Sequence, residues 1–187
     1  MYNCAKMFCL WEEAEALLPK LQQLIRDGGA TLDSFIELNL SLLATPGISA
    51  QTHFEIHQKA GRVVDQFREG PVYSEYPQAM RRTGRLKVGY LSPDFHQHVS
   101  NICFRGLMNF HNKDLFEVYC YSNSNIEDET SAQYRATADH FVNITGLSDR
   151  ELAAKIHADG IHFLIDLAGY TSRGRIGVLS YRPAPVQ

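Results

Sequence analysis

The sequence lacks the features that mark proteins of membranes or nucleic acids. No apolar run approaches the roughly 20 residues that a membrane-spanning helix needs. The first residues have neither the basic start nor the apolar core of a signal peptide. The net charge of −3 comes from well-mixed acidic and basic residues, which leaves no basic patch for nucleic acid or an anionic membrane. We therefore expect a soluble protein that binds neither nucleic acid nor membrane.

Cysteine is scarce and its spacing is uninformative. The four cysteines are scattered without CxxC spacing: Cys4, Cys9, Cys103 and Cys120. This pattern predicts neither a zinc site nor a disulfide framework. A reducing compartment suits it best, so we expect a cytoplasmic protein, and also a nuclear one if the source is a eukaryote.

The motifs of two common enzyme classes are also missing. The segment Ser92–Phe95 follows a predicted strand and contains no glycine, so the phosphate cradle of a GxGxxG dinucleotide site is absent. No GxSxG elbow of a serine hydrolase occurs. A dinucleotide enzyme of the Rossmann type and a serine hydrolase are both disfavoured.

Histidines occur in pairs, but no pair predicts a metal site. His53 and His57 flank Glu55, which is displaced from its position in the HExxH zinc motif, so we interpret them as helix-surface histidines. His96 and His98 have no third ligand at a convincing spacing.

The chain from residue 1 to about residue 80 is predicted to be a helical segment. Apolar residues recur there at steps of three and four: Trp11, Ala14, Leu17, Leu18, Leu21 and Ile25. A second helix is predicted at 33–43. A third begins near Ser49 or Thr52 and ends at Phe67.

From Arg85 the pattern changes to alternating strands and helices. Strands are predicted at 86–91, 116–121, 141–144 and 161–167, and helices at 100–111, 130–140 and 148–160. This alternation predicts a parallel sheet with right-handed crossovers, a Rossmann-like α/β fold. We therefore divide the chain into a helical segment, 1–80, and an α/β domain, 85–187, with 71–84 as a surface linker.

Polar residues crowd the end of the first predicted strand. Asp94, His96 and His98 follow it closely, and Ser100 stands where it could cap the next helix. Ligands of open α/β sheets bind beyond the carboxyl ends of the strands. His98 is thus a candidate site residue, or a loop histidine bonded to backbone, and Asp94 either orients His98 or holds a turn.

The end of the last predicted strand carries a second polar group. Asp166 ends an apolar run, where an unpaired charge is costly, so it faces the crevice or is paired, and we favour the crevice. Gly169 allows a sharp turn, and Tyr170 lines the site or packs. Arg173 and Arg175 either meet phosphate or are solvated.

Three stretches resemble the catalytic region of the O-linked N-acetylglucosaminyltransferases, the family that includes SPINDLY-type proteins. They are KVGYLSPDFHQH at 87–98, FEVYCYSN at 116–123 and HADGIHFLIDLAGYTSRGRIGVLSYRPAPVQ at 157–187. The helices before residue 80 look like those that join tetratricopeptide repeats to the catalytic part in that family. The resemblance implies the amino-terminal half of a two-domain GT-B glycosyltransferase. We expect the chain to be truncated before the half that binds the nucleotide sugar.

The resemblance also implies an activity. It is the inverting transfer of N-acetylglucosamine from UDP-N-acetylglucosamine (UDP-GlcNAc) to serine and threonine hydroxyls of protein acceptors, without a metal or other cofactor. This chain would supply the acceptor-side half and would be inactive alone, because the donor is held mainly by the other half. The alternative is a non-catalytic protein-interaction module with a vestigial α/β domain.

Site roles follow from the resemblance residue by residue. His98 matches the family histidine beside the transfer centre, and either removes the hydroxyl proton or positions the acceptor. The substrate-binding candidates are Asp94, Asp166, Gly169 and Tyr170. His96 and Ile176–Gly177 depart from the family pattern, which bears on specificity rather than on fold.

Overall fold

The computed structural model describes residues 9–27, 48–76 and 84–187. The chain divides into two compact units, Met1–Phe67 and Arg68–Gln187. No helix in the described ranges is long and apolar enough to cross a membrane.

The first unit contains the helices α1, Trp11–Asp27, and α2, Ala50–Gln66. Ser49 caps α2, because its Oγ accepts the N–H of Thr52 at 3.1 Å, so Ser49 rather than Thr52 sets the start of this helix. The buried face of α2 repeats at helical spacing: Ile56, Ala60, Val63 and Val64. The helix predicted at 33–43 lies outside the described residues.

The second unit is built on a four-stranded parallel sheet. Its strands are β1, Leu86–Ser92; β2, Phe116–Ser122; β3, His140–Asn143; and β4, Phe163–Asp166. Its helices are α3, Asn101–Asn109; α4, Glu129–Thr137; α5, Asp149–Asp159; and a 3₁₀ helix, Ile176–Tyr181. The strand order β3-β2-β1-β4 confirms the predicted parallel α/β class.

Helices cover both faces of the sheet. Successive residues of a strand point to opposite faces, so each strand supplies side chains to both cores. On one face, Val88 and Tyr90 of β1 pack with Met108 of α3 and Tyr134 of α4. The core of the other face comes from β1, β2, α5 and the 3₁₀ helix: Leu91, Tyr121, Leu152, Ile156 and Tyr181. Both cores include residues of β1 and β2, so these two strands are packed on both faces.

Local sequence signals predicted both ends of α5 but not the carboxyl end of α4. The predicted capping box is present: the Ser148 Oγ accepts the Glu151 N–H, and the Glu151 carboxylate accepts the Ser148 N–H at 2.8 Å. Gly160 then ends α5 with a left-handed φ of 71°. By contrast, α4 stops at Thr137, short of the predicted end at 140, because Ala138 is extended.

The described part of the predicted linker, residues 71–76, is mostly exposed but is held to the second unit by two tyrosines. The Tyr73 N–H donates to the Tyr181 carbonyl at 2.9 Å, and the Tyr73 ring stacks on His157 with centroids 4.0 Å apart. The Tyr76 hydroxyl donates to the Arg182 carbonyl at 2.6 Å. These contacts anchor residues 73–76 within the second unit.

Candidate functional site

Strands β2 and β3 lie on one side of β1 and β4 lies on the other, so the order in which strands are added reverses between β1 and β4. Open α/β sheets bind ligands at such a switch point. Leu91 of β1 is in register with Asp166 of β4, and the Leu167 N–H donates to the Leu91 carbonyl at 2.9 Å. The loops that follow, residues 93–100 (the β1 loop) and 167–175 (the β4 loop), therefore start side by side. The structure brings the two predicted strand ends together at one edge.

Asp94 of the β1 loop faces both neighbouring histidines. Its N–H donates to the Ser92 Oγ at 3.0 Å, which holds the turn after β1. Its carboxylate oxygens lie 3.6 Å from the His98 Nδ1 and 3.9 Å from the His96 Nε2. These distances exceed hydrogen-bond length, so the contacts are electrostatic. Asp94 thus both holds a turn and faces His98.

His98 has one ring nitrogen engaged and the other open. Its Nδ1 lies 2.9 Å from the Ser100 Oγ, and this nitrogen either donates a proton to that hydroxyl or, in the other tautomer, accepts the Ser100 N–H at 3.3 Å. Within the described ranges its Nε2 has no hydrogen-bond partner, and the side chain is 41% exposed. With a proton on Nδ1 donated to the Ser100 Oγ, the Nε2 lone pair is open to an incoming hydroxyl.

Ser100 does not act as the predicted helix cap. It occupies the N-cap position of α3, but its backbone is helical and its side chain makes no capping bond. Its Oγ contacts the His98 ring instead. Sequence reasoning missed this role, because a serine before a helix carries the same signal for either use.

His96 is buried at 7% exposure beside the same carboxylate. Its Nδ1 lies 3.2 Å from the Gln97 carbonyl, and its Nε2 has no hydrogen-bond partner. The rings of His96 and His98 meet edge to face with centroids 5.9 Å apart. The described residues contain no cluster of three or more side chains that could hold a metal ion.

Asp166 is paired with backbone rather than left open. Its carboxylate accepts the Gly169 N–H at 2.6 Å and the Ala168 N–H at 3.4 Å. Burial nevertheless raises the pKa of this carboxyl above its ordinary value, because two backbone donors do not replace the lost water. The sequence predicted that Asp166 is either paired or faces the crevice. The structure shows that it is paired with backbone, and its role in the crevice stays a prediction.

The β4 loop depends on glycine at two positions. Gly169 has a φ of 54°, which side-chain-bearing residues rarely adopt. A Cβ on Gly174 would lie 2.7 Å from the Gly169 carbonyl oxygen and 2.9 Å from that of Thr171. Tyr170 between them is half-buried, and burial raises its pKa. Gly174 was not a predicted site residue, and only its glycine identity signals this packing.

The two arginines of this loop differ: the side chain of Arg175 has partners within the protein, whereas that of Arg173 is exposed. The Arg175 Nε donates to Asp149 Oδ1 at 2.7 Å and its Nη2 donates to the Leu147 carbonyl at 2.8 Å. Arg173 has a left-handed φ of 61°, and its carbonyl accepts the Asn123 Nδ2 at 2.9 Å. The loop is thereby tied to α5 and to the residue after β2.

The structure also describes the histidine pair of α2 and three of the four cysteines; Cys4 lies outside the described residues. His53 and His57 are half-buried on α2 rather than on its surface, and the His57 Nδ1 lies 2.8 Å from the His53 carbonyl. Cys9 and Cys103 are exposed and free, and burial raises the pKa of the Cys120 thiol to about 12.

A groove of about 580 Å³ opens beside His98 and runs between α3 and α4. Its walls include Asn101 and Arg105 from α3, and Asp128 and Gln133 from the start of α4. No sequence signal predicted it, because it depends on the distance between two helices.

Comparison with known proteins agrees with the geometry. The profile described as glycosyl transferase family 41 matches residues 58–187. The chain is 25% identical over 195 residues to the probable UDP-N-acetylglucosamine–peptide N-acetylglucosaminyltransferase SEC of Arabidopsis thaliana, covering 96% of this chain and 19% of that protein. It is 35% identical over 106 residues to the UDP-N-acetylglucosamine–peptide N-acetylglucosaminyltransferase of Caenorhabditis elegans, covering 55% of this chain and 9% of that protein.

A solved structure extends the similarity to the fold. A mutant of the O-GlcNAc transferase of Thermobaculum terrenum superposes with a TM-score of 0.76 at 26% identity, covering 92% of this chain and 33% of that chain. The chain therefore spans a third or less of each of these proteins. Because the family profile matches well over half of its residues, the chain belongs to glycosyl transferase family 41.

Proposed function

We propose that this chain is the acceptor-side half of the catalytic region of a protein O-N-acetylglucosaminyltransferase. The enzyme would transfer N-acetylglucosamine from UDP-GlcNAc to serine and threonine hydroxyls of proteins, with inversion at the anomeric carbon and without a metal. The names of the relatives support the donor and the acceptor class. The observation that carries the proposal is the open Nε2 of His98 at the switch point of the sheet.

Inverting transfer is a single displacement. The acceptor oxygen forms a bond to the anomeric carbon on the face opposite the diphosphate, the bond to the diphosphate breaks, and the hydroxyl proton must leave. His98 takes that proton on Nε2 while its Nδ1–H donates to the Ser100 Oγ at 2.9 Å. The leaving diphosphate would be held chiefly by a carboxyl-terminal half.

Asp94 supports this step through charge. Its carboxylate lies 3.6 Å from the His98 Nδ1 and its side chain is only 14% exposed. A carboxylate this close, and mostly shielded from water, favours the imidazolium that forms as the proton arrives. Asp166 and Gly169 shape the β4 loop, and Tyr170 lies within that loop, where we place contacts to the substrates.

The test is a transfer assay on the chain extended by a carboxyl-terminal half, with UDP-GlcNAc and a mixed protein acceptor. His98→Ala should lower kcat/KM by about 10² to 10⁴, the usual contribution of a general base. His140→Ala is the matched control, because His140 is exposed and begins β3 at the opposite sheet edge. Residues 1–187 alone should give no transfer.

Three results of this assay would each contradict one part of the proposal. Full activity in His98→Ala would remove His98 from the catalytic role. An extended wild-type protein that folds but transfers nothing would favour the non-catalytic interaction module. Turnover by residues 1–187 alone would contradict the acceptor-half assignment.

A further inference from the structure

His96 and His98 share one carboxylate. The Asp94 Oδ1 lies 3.9 Å from the His96 Nε2, and the Asp94 Oδ2 lies 3.6 Å from the His98 Nδ1. The two rings meet edge to face with their centroids 5.9 Å apart. A proton on one ring therefore repels a proton on the other and draws on the same negative charge, so that the two imidazoles titrate as a coupled pair.

The two rings differ in their access to water. His96 is buried, whereas His98 is exposed and its Nε2 is open. The Asp94 side chain between them is mostly shielded from water. Charge on His96 therefore acts on Asp94 with little screening, while the exposed ring is the one that can meet a hydroxyl group.

The contacts of His96 determine where its ring takes up a proton. Its Nδ1 lies 3.2 Å from the Gln97 carbonyl, which can only accept, so this nitrogen carries a hydrogen. In the neutral ring, Nε2 then has a lone pair, and it lies near the Asp94 carboxylate without a hydrogen-bond partner among the described residues. Only the protonated ring offers Asp94 a donor from this side.

A second carboxylate lies near His96. Asp128 is the N-cap residue of α4, and its Oδ2 accepts the Gln97 N–H at 2.7 Å. The pKa of Asp128 is below its ordinary value, first because backbone N–H groups, that of Gln97 foremost, donate to it, and also because His96 is nearby. His96 is therefore the only group shared electrostatically by the two carboxylates in the contacts described for this loop.

The neighbouring helices add no further charge to the His96 ring. The Asn101 side chain of α3 donates to the His96 carbonyl, and the Tyr134 hydroxyl of α4 donates to that asparagine. Both contacts reach the main chain of His96 rather than its ring. Among the described residues, the charged and titratable groups placed to act on the ring are Asp94, Asp128 and His98.

We propose that His96 is a positioning residue that shares Asp94 with His98 and thereby keeps His98 able to accept a proton down to a lower pH. The inference rests on the proposed role of His98 as the base. Asp94 alone favours a proton on His98, which would remove the base before an acceptor arrives. A protonated His96 takes over part of that negative charge and opposes a second positive charge on His98.

NMR titrations of the histidine ring signals in the full chain test this proposal without any substrate. His96→Gln keeps an N–H that can donate to Asp94 but cannot take up a proton. In this variant the His98 midpoint should rise by about 0.5 to 1 pH unit, because the positive charge on a ring 5.9 Å away is lost. An unchanged or lowered His98 midpoint would overturn the proposal.

Two further variants complete the titrations. His140→Gln is the matched control, because it makes the same substitution in a histidine at the opposite edge of the sheet, and it should leave the His98 midpoint unchanged. Asp94→Asn removes the shared charge and should lower the midpoints of both His96 and His98. A fall at only one ring would contradict the shared carboxylate, and this arm does not require the His96 variant to fold.

The pH profile of transfer in the extended protein separates charge from packing. In His96→Gln, kcat/KM should fall about three- to tenfold near pH 5.5 and stay unchanged near pH 8, because a higher midpoint removes the base only on the acid side. A merely structural role of His96 would lower kcat/KM by the same factor at both pH values, and that result would sink the proposal.

The ring titrations and the transfer assay can fail separately. If the titrations behave as expected but transfer does not depend on His98, the coupling of the two rings remains and the proposed function falls. If transfer depends on His98 but its midpoint does not respond to His96→Gln, the His96 proposal falls alone.

Discussion

The β1 loop and the β4 loop begin side by side at one edge of the sheet but are built differently. Besides the bonds that hold its backbone, the β1 loop has contacts between side chains: the Ser100 Oγ lies 2.9 Å from the His98 Nδ1, and the Asp94 carboxylate lies 3.6 Å from the same nitrogen. In the β4 loop, side chains serve the backbone, since the Asp166 carboxylate and the Thr171 Oγ1 bond to main-chain groups.

This difference predicts that substitutions in the two loops have different effects. A loop made of side-chain contacts can lose one group and keep its backbone path. A loop held by backbone contacts and glycine conformations cannot change one position without moving others. Variants in the β1 loop should therefore change transfer more than stability, and variants in the β4 loop should do the reverse.

The largest effect on stability is expected from Gly174→Ala. The new Cβ would lie within 3.0 Å of two carbonyl oxygens, at Gly169 and Thr171, and backbone atoms cannot rotate away. We expect a loss of about 3 kcal/mol in the free energy of unfolding, at the upper end of overpacking costs. Hydrogen exchange of the β1 and β4 amides measures it, because Trp11, the only tryptophan, lies in the first unit.

Gly169→Ala is the matched comparison in the same loop. Its Cβ would meet no atom within 4 Å, so only the left-handed φ of 54° opposes it. That conformation costs about 1 kcal/mol for a residue with a side chain. An equal or larger loss in Gly169→Ala would show that conformation, rather than close packing, holds the loop.

A smaller effect, on transfer, is expected from Ser100→Ala. The variant removes the hydroxyl that holds the His98 Nδ1, a hydrogen bond worth about 1 kcal/mol. In the extended protein, kcat/KM should fall about fivefold, while the free energy of unfolding should change by less than about 0.5 kcal/mol. Ser172→Ala, at an exposed β4-loop position where the described residues offer the side chain no hydrogen bond, should leave both unchanged. A loss of stability in Ser100→Ala would instead make this serine structural.

The sequence predicted those parts of the fold whose cause is local. The capping box of Ser148 and Glu151 lies within one turn, so its residues carry the whole signal. The apolar runs of β1 and β4 likewise predict buried parallel strands, and their carboxyl ends then fall at one edge. That is why the sequence could predict that the β1 loop and the β4 loop begin side by side.

Features that depend on distant partners were not predictable in this way. Arg175 was assigned to phosphate or solvent, but its partner Asp149 lies on another element, 26 residues away. Whether the Ser100 side chain caps the helix or contacts the His98 ring depends on its rotamer, and the sequence does not show which rotamer is adopted. The groove between α3 and α4 depends on how two helices are spaced, which no local pattern records.

The smallest predicted effect concerns pH and Asp166. Burial raises its pKa above the ordinary value of 3.8, so the folded state binds the proton more readily than the unfolded state. Stability from this group is full below pH 3.8 and is lost as the pH rises through the raised pKa. Asp166→Asn cannot ionise and keeps one oxygen for the Gly169 N–H. Relative to wild type, it should gain stability from pH 4 to pH 8 in urea unfolding.

Asp139→Asn provides the opposite sign under the same conditions. Burial alone would raise the pKa of Asp139, but the Val118 N–H, Arg85 and Lys113 together hold it below its usual range. Its ionised form therefore stabilises the fold at neutral pH, and this contribution is lost as the pH falls through the lowered pKa. The Asn variant should thus be less stable than wild type throughout pH 4 to 8. If Asp166→Asn followed the same course, its backbone hydrogen bonds would outweigh burial, and the β4 loop would depend on charge as the β1 loop does.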